Sequence, residues 1–368
     1  MSSLIVKIRK VAEVKHHPLA DRLDVATIEG WDTIVGRDSL KEGDLVTFVP
    51  PDAIIPTDLA DKLGFRQYLR GANHDRVGLA KIRGVVSYGL VLPCPVDTNV
   101  DSRGCVPIVE GEDVATFWGI TKFEPPVRPI QGTPREKDLT FPEYIEIENF
   151  KNFKDCFQPG EMVQITEKID GTNCRLGIEI TADGIKIKAG SHHVNRQDPG
   201  VELWSTYPYW YPHSIVGVQN YLRDCISSEW GKTVGNIITL YGEVFGAVQG
   251  GVKSMDYGSR GTLRFRMFGI MENYTWLIPD AVNGVCDEYG IPQVPILYYG
   301  AYDPSRLVGI FNQDSIVAAT FGKKQIMEGV VIQSLSNPLK ILKVLNPEYL
   351  LLKYKAEDKG EEFDVQDE

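Results

Sequence analysis

The chain has 368 residues, enough for two or three domains with a sizeable core in each. Its 43% hydrophobic and 24% charged residues are those of an ordinary globular protein, and its net charge of −11 excludes one that coats nucleic acid indiscriminately while leaving room for a local basic groove. No apolar run approaches the ~18 residues of a membrane span, and the first ten residues, MSSLIVKIRK, are too short in apolar length for a secretory leader. Cys94, Cys105, Cys156, Cys174, Cys225 and Cys286 form no C-x-x-C pair and have no histidine at zinc spacing. Reduced, mostly buried thiols are expected, in a cytoplasmic or nuclear protein that does not meet a membrane.

Residues 1–130 read as short β-strands. The runs at 4–11, 23–28, 31–36, 44–49, 77–82 and 87–92 are separated by Pro, Asp and Gly breaks. Short strands at this spacing predict a small β-barrel. HHPLADRL (16–23) and KIRGVVSYGLVL (81–92) resemble the OB-type tRNA-binding domains attached to some synthetases, with Leu90 where those carry methionine. The resemblance implies an OB-fold whose concave face and loops hold nucleic acid. Arg66, Arg70, Lys81 and Arg83 are candidate phosphate contacts, and each is equally well a solvated surface charge.

The stretch 117–144 carries Pro125, Pro126, Pro129, Pro134 and Pro142 and reads as an extended connector. The change of domain is expected near residue 140. IENFKNF (147–153) then repeats apolar residues at helical spacing.

The second domain turns on TEKIDGTNCRL (166–176). An apolar run ends in Lys168 and an Asp170-Gly171 break, which predicts an ammonium group at the end of a strand. A lysine with its reference pKa of about 10.4 is protonated and not nucleophilic. Burial or a neighbouring cation frees the amine. Asp170 shares a side of the strand with Lys168, so amine and carboxylate meet. K-x-D-G alone also spells a surface strand ending in a turn.

KIDG resembles the signature of the covalent nucleotidyltransferases: ATP-dependent DNA ligases, RNA ligases and mRNA-capping guanylyltransferases. KIDGTN is similar to the RNA ligase branch, with Asn173 where the others carry arginine. Further segments follow in the family's order. GSHHVNRQD (190–198) is a polar loop in the place of the second motif, and the resemblance implies ribose or phosphate contacts from His192 and Arg196. WSTYPYWYPHS (204–214) can stack bases or form a packed corner, and the corner is preferred. VQNYLRDCISSEW (218–230) has helical periodicity. NIITLYGEVFG (236–246) reads as a buried strand with one acid, Glu243, which is costly there unless paired or facing a ligand. It resembles the third motif. Phe268 stands in the place of the adenine-stacking aromatic, and PDAVNGVCDEYG (279–290) reads as a helix closed by Gly290. EGVVIQS (328–334), opening with Glu328, resembles the fourth motif. ILKVLNPEYLLLKYK (341–355) resembles the fifth, with Lys343 toward the α-phosphate. Where relatives have K-x-K this chain has Lys343-Val344-Leu345, so Lys340 or Lys353 is a candidate for the second lysine. The acidic end is expected to be a disordered tail.

Five ordered motifs resemble the class-5 ATP-dependent RNA ligases. The expected fold is α+β: an OB-type barrel over 1–130, an antiparallel ATP-grasp-like nucleotidyltransferase domain over 131–355, and a tail over 356–368. The resemblance implies that Lys168 takes AMP from ATP and passes it to an RNA 5′-phosphate, which a 3′-hydroxyl then attacks. It implies catalytic roles for Lys168, Asp170, Glu243, Glu328 and Lys343, and nucleotide contacts from Glu167, Asn173, Phe268, His192 and Arg196. It further implies Mg²⁺ or Mn²⁺ at Asp170, Glu243 and Glu328, and RNA partners with 3′-hydroxyl ends or nicks. A DNA ligase or capping enzyme is the enzymatic alternative, and an inactive tRNA- or RNA-binding protein is the alternative of another class. The OB-like segment precedes the lysine, whereas DNA ligases and capping enzymes place theirs after it.

Overall fold

The computed structural model describes residues 4–95, 109–124, 134–135, 137–246, 255–257, 261–310 and 313–358. The connector prolines Pro125, Pro126 and Pro129, Cys105, and the acidic tail beyond residue 358 lie outside the described residues. The chain forms two compact units. One takes Met1–Glu124 with Leu350–Glu362, and the other takes Pro125–Tyr349. The end of the region assigned from sequence to the second domain therefore belongs with the first unit.

In the first unit, β1 (Lys7–His16), β2 (Leu23–Ile28), β3 (Trp31–Gly36) and β4 (Leu45–Val49) are followed by β5 (Ala53–Ile54) and α1 (Thr57–Leu63). Then come β6 (Leu79–Ile82), β7 (Val85–Tyr88), β8 (Leu90–Leu92), α2 (Ala115–Trp118) and β9 (Thr121–Lys122). Five strands pair in the order β3-β2-β1-β4-β8, a nearly closed antiparallel barrel of the expected OB type. β1 serves both halves. Lys7–Lys10 pair with β4, Val11–His16 pair with β2, and a register shift between Val11 and Glu13 bends the strand between them.

The two signature stretches of this unit meet. The buried His17 ring donates from Nε2 to the Ile82 carbonyl at 3.1 Å and accepts the Leu19 N–H at 3.1 Å. Arg83 donates to the Leu19 carbonyl at 2.8 Å. Arg83 and Gly84 form the two-residue β6–β7 turn with φ of 45° and 89°, the left-handed pair such hairpins require. Arg70 donates to the Leu79 carbonyl at 2.7 Å and Arg66 pairs with Asp61 at 2.7 Å, while Lys81 is exposed. Arg66, Arg70 and Arg83 thus have partners inside their own unit.

In the second unit the strands are β10 (Pro134–Arg135), β11 (Glu148–Asn149), β12 (Met162–Lys168), β13 (Thr172–Thr181), β14 (Gly184–Gly190) and β15 (Asn195–Arg196). After α3 (Val216–Ser227) come β16 (Ile237–Gly246), β17 (Leu263–Glu272), β18 (Thr275–Trp276), α4 (Pro279–Tyr289) and β19 (Ile296–Ala301). α5 (Ser305–Val308), α6 (Ile316–Thr320), β20 (Gly329–Ser334), β21 (Ile341–Leu345) and α7 (Pro347–Asp358) complete it, α7 passing to the first unit at Leu350.

Two sheets result, one ordered β10-β15-β14-β13-β16-β17-β18 and the other β11-β21-β20-β12-β19. The apolar faces of α3 and α4, through Val218, Leu222, Val282 and Cys286, pack on the larger sheet together with Trp204, Tyr209 and Trp210. The aromatic run is therefore a packed corner, with the Trp204 and Trp210 rings stacked at 5.7 Å. Residues 147–153 depart from the expected helix. Glu148 and Asn149 pair with β21, and a 3-10 turn follows, capped by the Asn149 side chain. No helix among the described residues is long and apolar enough to cross a membrane.

Candidate active site

The chain leaves the smaller sheet at Lys168 and enters the larger one at Thr172, so Ile169-Asp170-Gly171 is the crossing between the two sheets. The crossing is tight. A Cβ on Gly171 would lie 2.4 Å from the Val244 carbonyl oxygen and 3.0 Å from Glu243 Cγ. Lys168 pairs with Gly329, where a Cβ would lie 2.4 Å from the Val344 carbonyl. Both glycines are there for close approach of backbones.

Acids converge on this crossing from three elements. Glu328, immediately before β20, is buried and its Oε1 lies 2.6 Å from Lys168 Nζ. Glu243 on β16 stands between Asn173 on β13 and Arg266 on β17, in one row across three strands. Asp170 is fixed at both ends: its N–H donates to the Tyr257 hydroxyl at 2.9 Å, and its Oδ1 accepts from the Tyr349 hydroxyl at 3.1 Å. Burial by itself would lower the Lys168 pKa, but Glu328, Glu243 and Asp170 outweigh it and raise the pKa above the ordinary lysine value. The three carboxylates therefore favour the ammonium form of Lys168.

The donor set fits a hard divalent cation. Glu328 Oε2 and Asn173 Oδ1 are buried with no hydrogen-bond partner. An unsatisfied buried acceptor costs about 1–3 kcal/mol, and carboxylate and amide oxygens are the ligands Mg²⁺ and Mn²⁺ take.

The other predicted residues divide. Lys343 on β21 lies opposite Val331, and Leu345 lies opposite Gly329. The two-residue pleat therefore puts Lys343 on the same sheet face as Lys168. Lys340 is bound to Glu161 at 2.6 Å, beside the opposite end of β12, about 20 Å of strand from Lys168. Lys353 lies in the part of α7 that belongs to the first unit. Lys340 is thus engaged away from Lys168. Phe268 is the unpaired residue of a bulge, since Tyr241 faces Gly269 and Gly242 faces Met267. Such bulges re-aim side chains, and the half-buried ring meets Tyr144 edge-on at 4.8 Å.

Glu167 does not join the group. It points to the opposite face of β12, buried, where its carboxylate accepts from the Ser315 hydroxyl and from the N–H groups of Ile316 and Val317 at 2.9 and 3.1 Å. It caps α6, and the expected nucleotide contact is corrected accordingly. His192 packs on the ring of His193 at 4.2 Å, and burial with the neighbouring imidazole pushes its pKa down to about 4. Arg196 is buried over the Tyr209 ring at 5.1 Å. The Tyr209 hydroxyl in turn lies 3.2 Å from that of Thr172.

A family model described as RNA ligase matches residues 161–345. The chain belongs to the RNA ligase family. A second model, of an OB-fold domain, matches residues 5–94. Comparison with the curated proteins gives no match. Among solved structures the chain is similar to a Naegleria gruberi RNA ligase with PPi, at 20% identity and a TM-score of 0.70, covering 96% of this chain and 99% of that one. A lysine-to-methionine variant of that ligase with AMP and Mn, and a lysine-to-alanine variant with ATP and Mn, each align at 19% identity and a TM-score of 0.69, again covering 96% and 99%. At this identity the likeness is one of fold.

Within the RNA ligase match, Tyr257 and Arg175 carried no sequence signal. Arg175 sits in the apolar run CRLGIEI yet is fully buried. It donates to the carbonyls of Ser191 and Phe141 and to Asn195 Oδ1, tying β13 to the loop before β15.

Proposed function

We propose that the chain is an ATP-dependent RNA ligase that uses Lys168 as nucleophile and joins an RNA 3′-hydroxyl to a 5′-phosphate, at nicks or at free ends. The observation that carries this reading is the buried Glu328 carboxylate held 2.6 Å from Lys168 Nζ at the crossing of the two sheets, with Asp170 and Glu243 around the same amine. Lys168 forms an Nζ–Pα bond to ATP while the Pα–O bond to the β-phosphate breaks and pyrophosphate leaves. The RNA 5′-phosphate then takes the AMP, and the 3′-hydroxyl oxygen displaces it. Lys343, on the face that Lys168 shares, supplies positive charge to the α-phosphate. Each step is phosphoryl transfer, in which in-line positioning and charge neutralisation do most of the work. Asp170, Glu243 and Glu328 would hold a Mg²⁺ or Mn²⁺ ion, which neutralises these carboxylates, loosens their hold on the Lys168 proton and polarises the phosphates. Phe268, re-aimed by its bulge, offers a ring face to the adenine. The OB-type unit grips the RNA. The free thiols of Cys94, Cys156, Cys174, Cys225 and Cys286 support a cytoplasmic or nuclear setting.

The test is label transfer. Incubation with α-labelled ATP and Mg²⁺ or Mn²⁺ should leave an acid-labile AMP adduct on a denaturing gel, and Lys168→Ala should abolish it. An undiminished adduct in that variant overturns the assignment. GTP in place of ATP separates a capping enzyme, and DNA in place of RNA 3′-hydroxyl ends separates a DNA ligase.

A further inference from the structure

A second cluster of ligating side chains stands apart from the acids around Lys168. Glu143 precedes the connector's last aromatic, Tyr144, and His192 and His193 lie in the loop between β14 and β15. One carboxylate oxygen of Glu143 and one nitrogen from each imidazole lie within 4.8 Å of one another. Two imidazoles and a carboxylate form a three-ligand set of the kind that holds zinc with its fourth position open. Its chemistry differs from that of the Lys168 site, where all the donors are oxygen.

The supporting contacts are those of an oriented site. Glu143 divides its oxygens: Oε1 lies 3.2 Å from Lys137 Nζ, and Oε2 lies 2.9 Å from His193 Nδ1. The lysine turns the carboxylate so that its other oxygen faces the histidines, as outer partners do around metal sites. The two rings lie 4.2 Å apart with 49° between their planes.

We propose that Glu143, His192 and His193 bind a transition-metal ion of the Zn²⁺ or Co²⁺ class, and that this ion pins the β14–β15 loop to the segment before β11. Nitrogen donors select such ions over Mg²⁺. The loop is the one Arg175 already ties to Phe141, Ser191 and Asn195, so the metal adds a second clasp to the same seam.

Cobalt reports the site directly. Full-length protein in excess Mg²⁺ is titrated with CoCl₂ and followed by visible absorption, then with ZnCl₂ as competitor. The expected result is one Co²⁺ per chain with the intense bands of a four-coordinate ion, displaced by Zn²⁺. His193→Gln and Glu143→Gln, both at partly exposed side chains, should each weaken binding at least tenfold, and the paired histidine variant should abolish the bands. Glu243→Ala, at the oxygen site, should leave Co²⁺ uptake unchanged, which separates this proposal from the reading of the Lys168 site. Circular dichroism and melting curves establish that each variant is folded. Absence of stoichiometric Co²⁺ binding by the wild type overturns the proposal. So does undiminished binding by the folded paired variant, or loss of binding in Glu243→Ala.

Discussion

Lys168 shows how far single residues could be read. Its place at a strand end, and the presence of Asp170 beside it, were legible because K-x-D-G is local. Its protonation was not. The acids that fix it, Glu243 and Glu328, arrive from β16 and from the start of β20, 75 and 160 positions away, and no spacing rule links them to the lysine. Glu167 is the converse case: the letter before the lysine invites a role in the site, but strand alternation turns it to the other face. If the three acids hold a cation, Glu328→Gln should keep the fold and slow AMP-adduct formation by about 100-fold or more, and Glu243→Ala and Asp170→Ala should act in the same direction. Rates of label transfer check this, and near-normal rates in all three would place the cation elsewhere. His213 offers a prediction for stability. It is buried and donates to the Lys188 carbonyl at 2.9 Å, and burial lowers its pKa from 6.5 to about 4. The unfolded chain therefore binds the extra proton between these values, and stability falls as pH drops through that window. Denaturation at pH 7 and pH 5 should show about 2 kcal/mol lost through this group, and His213→Gln should flatten that part of the pH dependence.

Elements were legible where a period ran long enough. The buried strand with Glu243 and the helix closed by Gly290 lie within a residue or two of their expected places. The seven residues from 147 were too few to carry a helix, and pairing with β21 took the first of them instead. What the sequence could not reveal was the order of strands. β12 lies between β19 and β20, partners more than a hundred residues downstream, and this order makes KIDG the crossing between two sheets. The glycine of that crossing can be tested as an element. Gly171→Ala should force β16 away and, with it, Glu243, cutting adduct formation about tenfold or more and lowering the melting temperature. Gly284→Ala, in the middle of α4 with open space around it, is the control and should be neutral or stabilising by up to about 1 kcal/mol. Equal behaviour of the two variants would mean that the close approach at Gly171 is not what the site depends on.

At the scale of the molecule, two units were expected and their main contents were legible, because an OB-type pattern and a nucleotidyltransferase pattern follow one another along the chain. The membership of the last helix was not. α7 reads as a continuation of the fifth motif, yet Leu351 and Tyr354 lie in the core of the first unit beside Val11, Trp31, Phe48 and Leu79. The Tyr354 hydroxyl donates to Asp52 Oδ1 at 2.7 Å, and Arg76, itself paired with Asp52 at 2.6 Å, lies over the same ring at 5.0 Å. A chain ending at Tyr349 keeps every candidate catalytic residue but loses two buried side chains from the first unit. Its melting should show that unit destabilised by about 3 kcal/mol or more, with lysine adenylylation largely retained. An unchanged melting profile would mean that the helix contributes nothing to that core.

The same helix sets an order on biogenesis. The barrel strands leave the ribosome ahead of the second unit, but the side chains that finish their core are encoded some three hundred codons later. Translation delivers Pro125–Tyr349 of the second unit before that core can close. A nascent chain arrested anywhere short of residue 351 carries an OB barrel with an open apolar seam, a surface for chaperones to hold and proteases to find. Of the two units, the one begun earlier waits on the other for its core.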